Sequence, residues 1–274
     1  MNPTLDPLQR WREAAQGWGI PQHILDRAPV SPWVHAPAMF RSGADDPTDT
    51  PSMAMAREAL GRLPDGIGSV LDIGCGGGRS SLPLAGAARL VIGVDHHQAM
   101  LEQFRDAAAA QSVDVATVLG TWPDVAEQTP SADVVVCHHV AYNVVEIGPF
   151  LSAMHAHAET AVIVELTATH PQSSLAPLWR HFWDLDRPTE PTAATFVDVV
   201  RHLGHEPTVH RWTRPQRSAP MARPEFVANL RQRLCLTDDR DAEIDRLIGS
   251  ATRLSADQVV TVGWLVQTQG RSVH

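Results

Sequence analysis

The run Val70-Leu71-Asp72-Ile73-Gly74-Cys75-Gly76-Gly77-Gly78 constrains the fold more than any other stretch of the 274-residue chain. Val70, Leu71 and Ile73 make a short apolar strand, and in the turn that follows only Cys75 carries a side chain. Residues 79–88 then read as a helix. A strand, a glycine turn and a helix bring backbone N–H groups to a ligand without side-chain obstruction. The alternation continues downstream. Further strands are expected at 90–94, 113–119, 133–137 and 161–166, with helices near 97–110, 123–128 and 147–158. Apolar strands alternating with helices imply a parallel sheet covered on both faces.

Other segments flank this alternation. Residues 1–50 are rich in Pro and Trp and read as one or two short helices joined by ordered loops. A helix is expected at 52–63, capped by Ser52, with Met53, Ala56, Leu60 and Leu63 on one face. After residue 166, Leu178, Trp179, Phe182, Trp183 and Leu185 recur at helical spacing. A helix at 192–203, closed by Gly204, and a strand at 206–212 follow. The last strand is expected at 258–266. Between these two strands lie two amphipathic helices, one striped by Phe226, Leu230 and Leu234, the other by Ile244, Leu247, Ile248 and Ala251. The expected division is an N-terminal helical arm at 1–65, an α/β domain at 66–212 plus 258–274, and a helical insertion at 213–257. Ligands of open α/β sheets bind beyond the carboxyl ends of the strands. Arm and insertion are placed to cap that edge; padding or a homodimer contact is their alternative use.

Composition narrows the class. Hydrophobic content is 43%, charged content 19% and net charge −9, so a packed core is expected and a nucleic-acid partner is disfavoured. Cys75, Cys137 and Cys235 are too far apart for a disulfide framework or a Cys-x-x-Cys metal site. His155 and His157 are two apart on a helix and do not share a face, so no metal is expected. The N-terminus is polar, and no apolar run approaches the ~18 residues of a membrane span. A soluble cytoplasmic protein without membrane contact is the expectation.

The glycine turn excludes two familiar ligands. Neither frame gives Gly-x-Gly-x-x-Gly, because Arg79 and Ser81 occupy the sixth positions. A phosphate-binding Gly-Lys-Ser/Thr loop is impossible because the chain contains no lysine. What remains, acidic-x-Gly-x-Gly-x-Gly from Asp72 to Gly78, resembles motif I of the class I S-adenosylmethionine-dependent methyltransferases. The resemblance implies a seven-stranded Rossmann-like sheet, mostly parallel with the last strand antiparallel, bearing helical cap elements. It implies S-adenosyl-L-methionine as cofactor and S-adenosyl-L-homocysteine as product. Gly74, Cys75, Gly76 and Gly78 would pass under the methionine part, with Asp72 helping to hold its amino group. Asp95 ends the second strand, where a carboxylate accepts from both ribose hydroxyls, with His96 beside it. Thr121 and Trp122, after the third strand, stand where family members contact adenine.

The fourth strand ends in Cys137-His138-His139-Val140-Ala141-Tyr142-Asn143, a loop that faces cofactor and acceptor in this family. His138 or His139 is the candidate general base, since neutral imidazole suits pH 7, and His138 is also a candidate cofactor contact. Tyr142 is placed to orient an acceptor, and Glu165 and His170 lie at the same sheet edge. The Asn-Pro-Pro-aromatic element of nucleobase amino methylation is absent, and Cys137 follows three valines rather than proline, which disfavours cytosine C5 chemistry. Arginines 211, 214, 217, 223, 231 and 233 form a positive stretch, read foremost as a solvated surface. The implied reaction is in-line methyl transfer to an oxygen or nitrogen of a small molecule. The alternatives are an RNA or protein acceptor, and a cofactor-binding relative without activity.

Overall fold

A computed structural model describes residues 6–33, 48–215, 222–252, 254 and 258–266. The apolar runs form strands β1 (Gly68–Ile73), β2 (Ala88–Asp95), β3 (Val115–Leu119), β4 (Ala132–His138), β5 (Ala158–Thr167), β6 (Thr208–Thr213) and β7 (Gln258–Leu265). They join one seven-stranded sheet in the order β3-β2-β1-β4-β5-β7-β6. β1 to β5 are mutually parallel, and β7 runs antiparallel between β5 and β6. The chain reverses strand order at β1, between β2 and β4, which opens a crevice at the carboxyl edge.

The helices are α1 (Pro7–Gln16), α2 (Gln22–Leu25), α3 (Pro51–Gly61), α4 (Gln98–Ala110), α5 (Ile147–Ala156), α6 (Ala176–Trp183), α7 (Ala193–His202), α8 (Arg223–Arg233) and α9 (Asp241–Ile248). Strand side chains alternate between faces. One face carries Val70, Val134, Val136 and Ile163 against Met53 and Leu60 of α3 and Phe104 of α4. The other carries Leu71, Val135, Val162 and Val164 against Trp11 of α1, Phe150 of α5 and Phe196 of α7. Each such side chain contributes about 1.5–3 kcal/mol by leaving water, so the two layers hold the central strands rigidly. A third core lies off the sheet. Ile20 and Ile24, Leu178 and Trp179, Phe226 and Leu230, and Ile244 and Ile248 pack together, joining the arm, the segment after β5 and the insertion. Leu247, expected on that stripe, is instead 38% exposed.

Local structure departs from expectation in three places. Residues 79–88 do not form an α-helix; only a 3-10 turn, Leu82–Leu84, is present. Pro83 lacks an N–H, the hydroxyls of Ser80 and Ser81 are drawn to Asp72, and β2 already begins at Ala88. Residues 123–128 shorten likewise to a 3-10 turn, Ala126–Gln128. At α3 the cap is Thr50, whose hydroxyl accepts from Met53 N, and not Ser52. Ser52 lies inside the helix, its side chain buried and committed elsewhere.

Candidate active site

The glycine turn is held shut by backbone bonds. Gly74 N and Cys75 N both donate to Val94 O, at 2.8 and 3.0 Å, and Gly78 N donates to Cys75 O at 2.9 Å. Gly74, Gly76 and Gly78 have φ of +72°, +51° and +88°, a region that side chains rarely adopt. A Cβ on Gly74 would stand 2.4 Å from Val140 Cγ2, so the loop after β4 presses directly on the turn. Cys75 is 3% exposed, and burial pushes its thiol far up, which makes it an inert packing group.

Two carboxylates anchor this turn. Asp72 is fully buried and accepts from Ser80 Oγ at 2.7 Å and Ser81 Oγ at 2.6 Å, both on Oδ2. Its Oδ1 is sealed from solvent without a hydrogen-bond partner among the described residues. Burial raises its carboxyl pKa against the lowering pull of Ser81, His138 and Ser80. Asp95 accepts from Gly76 N at 3.0 Å on Oδ2 and from His97 N at 2.9 Å on Oδ1. It thereby ties the turn to the start of α4, and each oxygen keeps a second lone pair. His96 and His97 stand in solvent beside it.

The second half of the site is a polar row across the sheet. Asp72 pairs with Val136, His138 with Glu165, and Glu165 with Thr261, which brings Asp72, His138, Glu165 and Thr261 onto the α3 face. Glu165 is 5% exposed. It accepts from Ser52 Oγ, which Thr50 contacts in turn, and lies 3.0 Å from His139 Nε2 and 3.3 Å from Arg214 Nη2. Arg214 also touches His139 Nε2. Burial pushes the Glu165 carboxyl up, but His138, His139 and Ser52 outweigh it and hold it below the ordinary carboxylate range. Burial pushes the His138 imidazole down, against the raising pull of Glu165 and Asp72. His138 Nδ1 faces Glu165 at 3.9 Å, and its Nε2 is buried and unpartnered among the described residues. His139 adopts φ +60°, an unusual backbone for histidine, and donates its own N–H to Glu165 O at 2.7 Å.

Other candidates fall elsewhere. Thr121 is exposed at the end of β3. Trp122 is turned into the core, 6% exposed, its Nε1 donating to Phe150 O and its ring edge-on to His157. It therefore offers no face to a nucleoside, because the apolar layer under α5 claims the ring. Tyr142 is spent on structure, donating to Thr167 O and stacking on Trp11. His170 stacks on Trp18 at 3.6 Å. Three of the arginines, 214, 223 and 231, are tied into contacts, while Arg211 is exposed. Arg223 binds Asp245 and the carbonyls of Gly249 and Ala251, Arg231 binds Asp241, and Arg214 binds Glu165. Arg217 lies outside the described residues. Sequence reasoning missed Ser52, Ser80 and Ser81 as members of the site. The signal available was Asp72 itself, since a carboxylate in an inner strand demands hydroxyl or amide donors nearby.

Residues 70–160, which contain the turn, Asp95 and the β4 loop, match the methyltransferase-domain family. Over these residues the chain is similar to a methyltransferase domain. No curated protein matches the chain. Among solved structures, the fold is similar to YcgJ of Bacillus subtilis, at 16% identity and TM-score 0.51, covering 77% of this chain and 98% of that one. A provisionally named methyltransferase of Bacillus halodurans C-125 gives 15% identity and TM-score 0.52 over 78% and 98% of the two chains. A protein solved in work on conversion of a disulfide bond into a thioacetal group during echinomycin biosynthesis gives 17% and 0.51 over 87% and 91%. These likenesses show the fold. Among the described residues no helix is long and apolar enough to cross a membrane.

Proposed function

We propose that this chain transfers a methyl group from S-adenosylmethionine to an oxygen or nitrogen of a small-molecule acceptor. One observation carries the reading. Asp72 Oδ1 and His138 Nε2, buried and without partners among the described residues, belong to neighbouring strands at the edge where Asp95 and the glycine turn meet. A buried carboxylate oxygen and, in its Nδ1–H tautomer, an imidazole nitrogen beside the glycine turn fit a cationic ligand that carries an amino group. Asp72, Gly74, Cys75, Gly76, Gly78 and His138 would hold the amino-acid end, and Asp95 the ribose. The cofactor supplies the electrophilic methyl.

The chain's own residues do the rest. In the tautomer whose Nε2–H donates to Glu165, His139 keeps Nδ1 as the lone-pair nitrogen for an acceptor proton. His139 is 32% exposed, so an acceptor can reach it. Such a base contributes on the order of 10²-fold. Arg214 balances the Glu165 charge and is not free for phosphate. Arg223 and Arg231 are likewise committed to carboxylates rather than to a phosphate, which favours the small acceptor. The closure of arm and insertion over a shared core supports the same reading.

The test is calorimetric titration with S-adenosylhomocysteine, with NAD as control, on wild type and Asp95→Ala. Binding of the first, none of the second, and at least a tenfold loss in the variant is the expected result. Absence of nucleoside binding, or a preference for NAD, overturns the reading.

A further inference from the structure

We propose that Asp95, His96 and His97 form a zinc-type divalent-cation site whose occupation excludes the nucleoside cofactor. Cysteine spacing gave no metal site in the sequence, and consecutive histidines after a strand carry no spacing signature. The structure gathers them. Asp95 Oδ1 lies 3.7 Å from His96 Nδ1 and 3.8 Å from His97 Nδ1. One donor atom from each of the three residues falls within 4.8 Å of the others. A tetrahedral zinc ion with bonds of about 2.0–2.1 Å sets its ligand atoms roughly 3.3 Å apart. The observed spacing closes to that by small turns of two solvent-facing rings, whose side chains are 63% and 64% exposed.

The donor set selects the ion. Two imidazoles and one carboxylate suit zinc, nickel or copper; calcium and magnesium prefer oxygen ligands. Three protein ligands leave a fourth position open to water, as in exchangeable rather than structural zinc sites. The carboxylate is already fixed in place, because Gly76 N and His97 N hold one lone pair on each oxygen. The N-terminus of α4 opposes a cation, which places the site among weaker, reversible ones. A metal on Oδ1 uses the lone pair that a ribose hydroxyl would take. The exclusion therefore rests on reading Asp95 as the ribose acceptor; the metal site does not.

The experiment uses untagged full-length protein and zinc chloride, because the chain holds 14 histidines and a tag would add more. Calorimetry of metal-free wild type is expected to show one zinc per chain, with affinity lowered about tenfold or more in His96→Ala/His97→Ala. Neither ring caps α4 by its side chain, so the double variant keeps its circular dichroism spectrum and melting temperature. Zinc binding by the variant equal to wild type overturns the site. Saturating S-adenosylhomocysteine is then expected to weaken zinc binding to wild type at least tenfold, with chelator restoring nucleoside affinity. Independent binding of the two overturns the exclusion. If the nucleoside fails to bind in chelator, the methyltransferase reading falls, while the zinc comparison of wild type and variant still decides the site.

Discussion

At the residue scale, the site is built from positions that tolerate no atoms beyond those present. Gly74 combines φ +72° with a Cβ position 2.4 Å from Val140 Cγ2. Gly204 has φ +87° but nothing within 4 Å of its Cβ position. Gly204→Ala is expected to cost about 1 kcal/mol, the backbone term alone. Gly74→Ala adds overpacking against a β-branched side chain and is expected to cost about 2–4 kcal/mol. Urea denaturation of both variants checks the order, and equal losses sink the claim that the β4 loop presses on the turn.

At the element scale, α3 does more than cover the sheet. Its cap is Thr50, and its buried Ser52 donates to Glu165 on β5. Thr50→Ala removes an N-cap and is expected to cost about 1 kcal/mol. Ser52→Ala leaves a buried carboxylate oxygen short of a donor, a loss of about 1–3 kcal/mol. The second variant is therefore expected to unfold at lower denaturant than the first. The reverse order would mean that Ser52 is the working cap and Glu165 draws its support from His139 and Arg214 alone.

At the scale of the whole molecule, the arm is fastened to the sheet edge by an aromatic stack with a titratable member. His170 lies against Trp18, accepts from Gln172 N on Nδ1, and is pushed down to about 3 by burial and the Arg187 charge. Its unfolded counterpart titrates near 6.5. Below that pH the unfolded chain binds a proton that the folded chain refuses, so stability falls as pH drops from about 6.5 toward 3. Between pH 6.5 and 5 the loss from this one group is about 2 kcal/mol. His170→Phe, which keeps the stack and cannot titrate, is expected to flatten the pH dependence of the melting temperature over that window. An unchanged slope would show that His170 is solvated in the folded state.

Periodicity and punctuation made much of this protein readable. Val70 to Ile73, Val91 to Val94 and Val134 to Val136 are strands because runs rich in apolar and β-branched residues suit a sheet buried on both faces, and acidic-x-Gly-x-Gly-x-Gly resembles the glycine motif of methyltransferases. Local chemistry also set Asp95 at a strand end. Other features depended on distance through space. Residues 79–88 have a helical composition, yet buried Asp72 recruits Ser80 and Ser81 across the turn and the helix is lost. Ser52 has the credentials of a cap, and Arg214 those of a surface charge. Both instead serve Glu165, more than 100 and nearly 50 residues away, because a buried carboxylate must be satisfied by whatever donors the fold brings within reach. Sequence determines which segments can pack; only their packing decides which polar groups are left without water and must find each other.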